Sequence, residues 1–502
     1  MDPTDAETAA PGAVGGATAP GGGPGGRALA PVPLRARRSS AEPRALLSRL
    51  TPFAGYLAVQ ALAVAGLVTP RYPDSATYLQ LSFTGNSKML PTIPLLYNVF
   101  GSDAQRVAFQ VVLAAFAWWT VARIAATAVE DRRVALALRL VLLALGVVGP
   151  IVLWNSVILS ESIALSLTVL LVAYWFRYSL APSWRLALPA LVVTTAWIFA
   201  RQAHVILGLL VTAVALGVAL RRRRLLAFGI AGALCLGCVL GLAIVGRDPT
   251  QNVSVGNVSD TIQDRILPNP GWTSWFVAHG MPYDATVAAA AGGPYGTALQ
   301  NDPIFFSWLT TSGTSTYLRF AFTHPGYLLW DPLPAFTGEL SSLHYAPTTP
   351  YPTTQPEPTV SMLSPNANWG RHRQVLPTVV EELVFQQGQA GDVLTLAGLT
   401  AAAVALARRR HGADRRRWLP GTVALSAIPQ GYFVWLGGGE GELDRLSMVL
   451  AVSVRVGLWM TLAFAVDGLL TGRAGRPTAA PAVTGEGGGG APAGDVAPGG
   501  VH

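Results

Sequence analysis

The sequence LLAFGIAGALCLGCVLGLAIV, residues 225–245, decides the class of fold. It contains no charged side chain, and an apolar helix of about 20 residues is long enough to cross the hydrocarbon core of a bilayer. The arginines Arg221–Arg224 come directly before it. Short loops rich in arginine stay on the cytoplasmic side of a membrane. The stretch therefore predicts a transmembrane helix that runs outward from the cytoplasm.

The composition of the whole chain agrees with a membrane protein. Of its 502 residues, 51% are hydrophobic and only 12% are charged, and the mean hydropathy is +0.41. Soluble domains average about 25% charged residues. We therefore predict an all-α polytopic membrane protein with about ten transmembrane helices. The predicted spans are Leu50–Val68, Val107–Ala126, Val134–Leu153, Ile163–Phe176, Leu186–Ala200, Val205–Leu220, Leu225–Val245, Val393–Ala407, Leu419–Trp435 and Met448–Leu470.

Arginine clusters fall after every second predicted span, so a single orientation satisfies all of them. The clusters lie at Arg35–Arg49, Arg132–Arg133, Arg177–Arg185, Arg221–Arg224 and Arg408–Arg417. Both termini are then expected in the cytoplasm. Lys88 is the only lysine, a bias typical of high-GC bacteria, so we expect a plasma membrane. The net charge of +8 reflects this topology. No nucleic-acid partner is expected, because no basic stretch is interleaved with aromatic residues.

The spans divide the chain into five parts. Two Gly/Pro/Ala-rich tails are predicted to be disordered and cytoplasmic, and the long segment between the seventh and eighth spans is predicted to be an extracytoplasmic loop domain of mixed structure, because it is too long for a connector. The parts are the tail 1–48, spans one to seven at 49–246 with a first external loop at 69–106, the loop domain 247–391, spans eight to ten at 392–471, and the tail 472–502.

The loop domain is rich in tryptophan. Aromatic faces stack on sugar rings, but the same side chains also form cores and interfacial belts. The segment PIFFSWLTTSGTSTYLRFAF, residues 303–322, is apolar on one side, which is compatible with a helix along the membrane interface or with a buried helix of the domain. The tryptophans are Trp272, Trp275, Trp308, Trp330 and Trp369.

Four charged residues stand at predicted external span ends: Asp74, Glu161, Arg201 and, in the acidic–basic group Glu440–Arg445, Arg445. An ionised side chain at the bilayer centre costs about 2.5–3.5 kcal/mol on insertion scales, so such residues usually face a cavity or a partner. We expect these span ends to converge on one external pocket.

Each of these residues also has a purely structural explanation. Asp74 fits a Pro-Asp-Ser turn, and Glu161 fits the first turn of a helix, where an acid complements the helix dipole. Arg201 could reach the interface by snorkelling, and Arg445 could pair with a neighbouring acid. The joint pattern carries more weight than any single member.

Four stretches resemble the GT-C superfamily of polytopic glycosyltransferases, particularly the branch of protein mannosyltransferases and lipid A sugar transferases. They are PDSATY at 73–78, WNSVILSESIALSL at 154–167, ARQAHVILGLL at 200–210 and ELDRL at 442–446. The resemblance implies a polyprenyl-phosphate-linked sugar donor, reaction on the external face and inversion at the anomeric carbon. Asp74 matches the first-loop acid of the family, which implies the catalytic base. Ser75 follows it where many relatives have a second acid.

The expected chemistry assigns further roles. Arg201 and Arg445 would hold the donor phosphate, because the arginine fork binds phosphate oxygens bidentately. Glu161 would orient an arginine or bind a sugar hydroxyl, and Tyr78 belongs to the same expected substrate-binding set. The acceptor would be an envelope glycan, lipid or protein. No cofactor is assigned, and a divalent metal ion is left open.

Two other classes of function compete with the glycosyltransferase interpretation. Intramembrane charges also mark the substrate pathways of transporters and lipid flippases, although those proteins usually show internal repeats and broken spans in matching halves. A non-catalytic scaffold for envelope assembly would leave Asp74 without a role, so substitution of Asp74 separates it from an enzyme.

Overall fold

All regular elements in the part of the chain that the structure describes are helices. The computed structural model describes residues 42–67, 73–81, 83, 89–222, 225–245, 253–292, 299, 301–334, 374–385, 393, 397–400, 404, 431–432, 435–436 and 440–474. The all-α class is confirmed over these residues. The predicted tails, apart from 42–48, lie outside them.

The helices follow one another along the chain with short connections. The first half contains α1 (Glu42–Val64), a 3₁₀ helix (Pro73–Leu79), α2 (Thr92–Asn98), α3 (Asp103–Ala126), α4 (Arg132–Leu145), α5 (Gly149–Trp154), α6 (Glu161–Leu180), α7 (Trp184–Ile198), α8 (Gln202–Arg222) and α9 (Leu225–Val245). The second half contains α10 (Val253–Thr261), a π-helical turn (Ile262–Ile266), α11 (Pro270–Ala278), α12 (Ala285–Ala289), α13 (Pro303–Trp308), a second π-helical turn (Leu309–Gly313), α14 (Thr314–Thr323), α15 (Pro325–Leu329), α16 (Thr378–Phe385) and α17 (Glu440–Ala474).

Four helices among the described residues are long and apolar enough to cross a membrane. They are Asp103–Ala126, Glu161–Leu180, Leu225–Ile244 and Met448–Thr471. Shorter apolar helices occupy Leu50–Val64, Trp184–Ile198 and Gln202–Gly217. The chain therefore has the helices of a membrane protein, while the expected number of about ten is a finer prediction than these helices support. The predicted spans at 393–407 and 419–435 lie mostly outside the described residues.

The third predicted span, Val134–Leu153, is wrong as a single helix. Helix α4 ends at Leu145 and α5 begins only at Gly149 with a proline in its first turn, where a missing N–H is tolerated. Gly146 packs so closely on the ring of Trp118 that an added Cβ would lie 2.7 Å from Trp118 Cδ1. After α5 the chain stays non-helical until Glu161 and is buried throughout residues 151–160.

The last helix, α17, packs against α4 and α6. The rings of Phe176 and Phe464 stack with centroids 5.5 Å apart. Near its end, the buried Asp467 carboxylate accepts hydrogen bonds from the backbone N–H groups of Glu130 and Asp131, at 3.0 and 2.8 Å. Because these contacts join the two ends of the sequence, α17 closes the first half of the fold.

The described part of the predicted loop domain is helical, whereas the sequence analysis expected mixed structure. Elements α10–α15 enclose an apolar core around Phe276, Phe305 and Phe320. Trp308 is buried in this core, and Trp272 and Trp275 pack against it. Their packing agrees with the core interpretation of these side chains. Trp330 is exposed, and Trp369 lies outside the described residues.

Candidate functional site

The candidate site is built around the start of α6. Glu161 is the first residue of this helix, and its carboxylate Oε1 lies 3.3 Å from Nη2 of Arg201, which follows α7 in the turn to α8. The Glu161 side chain is 1% exposed and that of Arg201 10% exposed. Burial of an ion pair is costly unless geometry and further hydrogen bonds offset desolvation. The structure thus brings together two of the predicted site residues.

Tyr78 belongs to the same site. It lies in the 3₁₀ helix, and its buried hydroxyl is 3.0 Å from the hydroxyl of Ser160, the residue directly before Glu161. Asp74 is placed in the same 3₁₀ helix, but its side chain lies outside the described residues. The first external loop therefore meets α6 through Tyr78, and the position of the Asp74 carboxylate stays a prediction.

Two side chains that the sequence analysis did not single out support the non-helical backbone before α6. The Tyr97 hydroxyl, from α2, donates to the Leu159 carbonyl at 2.5 Å, and Gln110 Nε2, from α3, donates to the Val157 carbonyl at 3.0 Å. Buried backbone carbonyls outside regular helices need such partners. A glutamine inside the apolar run of α3 was the only sequence signal for this arrangement.

Burial raises the pKa of Tyr97 well above its usual value, and the nearby negative charge of Glu161 raises it further. The phenol therefore stays protonated and available as a hydrogen-bond donor. Its influence from Glu161 also shows that α2 lies beside the acidic end of the site.

The turn that carries Arg201 is bonded to the first external loop. The backbone N–H of Thr92, at the start of α2, donates to the carbonyl of Phe199 at 3.2 Å. At the start of α6, the Ser162 hydroxyl donates to Asn155 Oδ1 at 2.7 Å. The amide nitrogen of Asn155 has no hydrogen-bond partner among the described residues. Three segments that are distant in sequence are thus joined at this end of α6.

Arg445 lies within α17, but its side chain lies outside the described residues, so no contact with the Glu161–Arg201 pair is given. The buried cation of α17 within the described residues is Arg455, which sequence analysis missed. Its guanidinium donates to the carbonyls of Phe385 and Ala451 and lies over the Phe385 ring at 4.1 Å. These contacts hold the carboxyl end of α16, so Arg455 has a structural role.

The described residues contain no group of three or more His, Cys, Asp or Glu side chains that could hold a metal ion. The site described above thus consists of a buried acid–base pair flanked by neutral hydroxyl and amide groups. Such an arrangement can fix a guanidinium in one orientation and can bind phosphate or hydroxyl groups of a ligand.

Comparison of the sequence with models of protein families and with curated proteins finds no match. The resemblance to the GT-C superfamily therefore rests on the quoted stretches of sequence alone.

Proposed function

We propose that this protein is an integral-membrane glycosyltransferase. It moves a sugar from a polyprenyl-phosphate donor to an envelope glycan, lipid or protein acceptor on the external face of the plasma membrane, with inversion. The observation that carries the proposal is the buried Glu161–Arg201 pair, which lies beside the 3₁₀ helix that contains Asp74 and Tyr78.

The chemistry requires a base and a stabilised leaving group. Asp74 accepts the proton of the acceptor hydroxyl while its oxygen attacks the anomeric carbon. The bond between that carbon and the phosphate oxygen breaks, and its electron pair leaves with the polyprenyl phosphate. Positive charge placed at the departing oxygen stabilises this step. Inversion follows because attack and departure take place on opposite sides of the sugar.

Arg201 is suited to the phosphate. It uses Nη2 for Glu161, and within the described residues its remaining N–H groups have no partner. A guanidinium held by a carboxylate at one edge can present the rest of its fork to phosphate oxygens. Glu161 then acts as a positioning residue, and Tyr78 holds the first external loop against α6 through Ser160. Arg445 is the second proposed phosphate ligand.

The proposal is tested with purified protein in liposomes that contain labelled polyprenyl-phosphate sugars and acceptor. Wild-type protein should release free polyprenyl phosphate. Asp74→Asn removes the base at nearly constant size and should abolish release. Asp284→Asn is the matched control, because Asp284 is exposed and caps α12 by accepting from Thr286 and Val287 N–H groups, a role that asparagine also fills. Full turnover by a well-folded Asp74→Asn variant would exclude Asp74 as the base.

The phosphate role of Arg201 is tested by Arg201→Lys, which keeps the charge and loses the fork. Loss of one charge-assisted hydrogen bond of about 1.5–3 kcal/mol corresponds to a fall in donor affinity or turnover of roughly ten- to a hundredfold. Arg319→Lys, at an exposed position of α14, should leave both unchanged. Unchanged kinetics in Arg201→Lys and in Arg445→Lys would place the phosphate elsewhere.

The orientation is part of the same proposal. Reporter fusions at Arg222, after α8, should report the cytoplasm, and fusions at Pro303, at the start of α13, should report the outside. An opposite result at either position would reverse the face on which the site lies.

The break between α4 and α5 favours a second candidate, a transporter or lipid flippase, because discontinuous helices surround the binding sites of many transporters. The same liposomes distinguish the two. A transporter would move the intact lipid-linked sugar across the bilayer without releasing polyprenyl phosphate, whereas the enzyme would release it only when acceptor is present.

A further inference from the structure

Helices α14 and α15 expose large apolar side chains on neighbouring segments. Phe322 is 75% exposed and Trp330 is 67% exposed. We define the α14–α15 surface by its exposed apolar residues, which are Leu318, Phe322, Leu329, Trp330 and Leu333. Soluble monomeric proteins rarely expose large contiguous apolar patches, and those that occur usually mark an interaction site.

The exposure is a property of one face of α14. The opposite face buries Tyr317, Phe320 and Ala321 in the core of the loop segment, so the helix is packed on one side. Leu318 and Phe322 are one turn apart and lie together on the outward face. Arg319 is exposed in the same turn. The surface thus combines apolar anchors with a cation.

Contacts with the end of a predicted span place this surface close to the membrane. The Tyr432 hydroxyl donates to the carbonyl of Leu329 at 3.1 Å, and the Trp435 ring lies 4.6 Å from that of Tyr327. The Arg265 guanidinium lies 4.5 Å above the same Trp435 ring. Tyr432 and Trp435 end the apolar run 419–435, so α15 is attached where that run would leave the bilayer.

We propose that the α14–α15 surface lies on the outer leaflet of the bilayer that the chain itself spans. Tryptophan and phenylalanine are favoured at the membrane interface, and an outward arginine is attracted to lipid phosphates. The lipid interface is thus the occupant for which the apolar side chains, the cation and the attachment to the span end are all suited. This docking does not depend on the proposed transferase activity.

Hydroxyl-radical footprinting of the wild-type protein, with one chain per lipid nanodisc, tests the proposal. Tyr283 serves as the internal control, because it belongs to the same loop segment and is 50% exposed. After correction for intrinsic reactivity, oxidation of Tyr283 should be strong. Oxidation of Phe322 and Trp330 should fall well below it, although both are more exposed in the protein itself, because lipid excludes the radicals generated in water.

Oxidation of Phe322 and Trp330 at or above the rate of Tyr283 would overturn the proposal, since the surface would then face water and be available to a protein partner. A second measurement uses oxygen and a water-soluble nickel chelate as collision probes of spin labels at Phe322→Cys and Ser274→Cys in a Cys235→Ala background. Cys238 is buried. Oxygen should dominate at position 322 and nickel at the exposed position 274, and nickel dominance at both positions would also overturn the proposal.

Discussion

Replacing Arg201 with methionine removes the guanidinium that lies 3.3 Å from the Glu161 carboxylate and keeps an unbranched side chain. The Glu161 side chain is 1% exposed, and water therefore cannot take over the role of the lost partner. Removing one member of a buried ion pair costs about 3–5 kcal/mol. Arg201 itself is 10% exposed, so we expect the lower end, a loss of about 3 kcal/mol in the free energy of unfolding.

The reverse change should be milder. Glu161→Gln leaves the cation, which is closer to solvent than the acid, and should cost about 1.5 kcal/mol, the lower end for a hydrogen bond to a charged group. The double variant Glu161→Gln/Arg201→Met removes both charges. It should be more stable than the sum of the single changes predicts, with a coupling energy of about 1–3 kcal/mol.

The free energies would be measured by reversible unfolding in mixed micelles with increasing dodecyl sulfate, followed by circular dichroism. Asp103→Asn is the matched control. It breaks a shorter ion pair, with Arg106 at 2.6 Å, whose acid is 21% exposed, and such accessible pairs contribute about 0–1 kcal/mol. If Arg201→Met is no more destabilising than Asp103→Asn, or if the two changes at the buried pair are additive, the pair does not have the energetic role described here.

Three further predictions concern the break in the third predicted span and its supports. Gly146→Ala should destabilise strongly, by about 3 kcal/mol, because the new methyl group would overlap the Trp118 ring, whereas Gly229→Ala, with no atom within 4 Å, should be neutral or stabilise α9 by about 0.5–1 kcal/mol; equal unfolding energies would contradict the close packing. Tyr97→Phe should cost about 1–3 kcal/mol by depriving the buried Leu159 carbonyl of its donor; because the pKa of Tyr97 is raised, this contribution should be constant below the ordinary tyrosine pKa of about 10 and should decline at higher pH, and a decline already near neutral pH would refute the assignment. Asp467→Leu should cost about 1–3 kcal/mol and Asp467→Asn less, because asparagine keeps one acceptor oxygen for the two N–H groups; amide exchange at Glu130 and Asp131 should accelerate in the leucine variant only.

The helical class and several helix positions could be predicted from hydropathy. The run at 225–245 coincides with α9, because an uninterrupted apolar stretch leaves a helix as the structure that satisfies its backbone in lipid. The third span could not be predicted in this way. Hydropathy averages over side chains, and the break between α4 and α5 depends on Gly146 meeting the Trp118 ring, which is a contact between distant positions.

The candidate site shows the same division. The sequence indicated that Glu161 and Arg201 stand at span ends, and the structure joins them. The bonds of Tyr97 and Gln110 go to backbone carbonyls, which every residue has, so no side-chain pattern points to them. Arg455 and Asp467 lie inside an apolar run. Their partners are main-chain groups of α16 and of the turn before α4, which a one-dimensional pattern does not identify.

The non-helical stretch before α6 has a consequence for how the protein is made. Its carbonyl partners, Tyr97 and Gln110, and Gln60, whose amide donates to the Gly146 carbonyl at 2.6 Å, all come from earlier in the chain. When ribosomal synthesis reaches this stretch, every one of these donors has already been delivered to the translocon. The break can therefore form during translation, whereas α16 and α17 are added to it only near the end of synthesis.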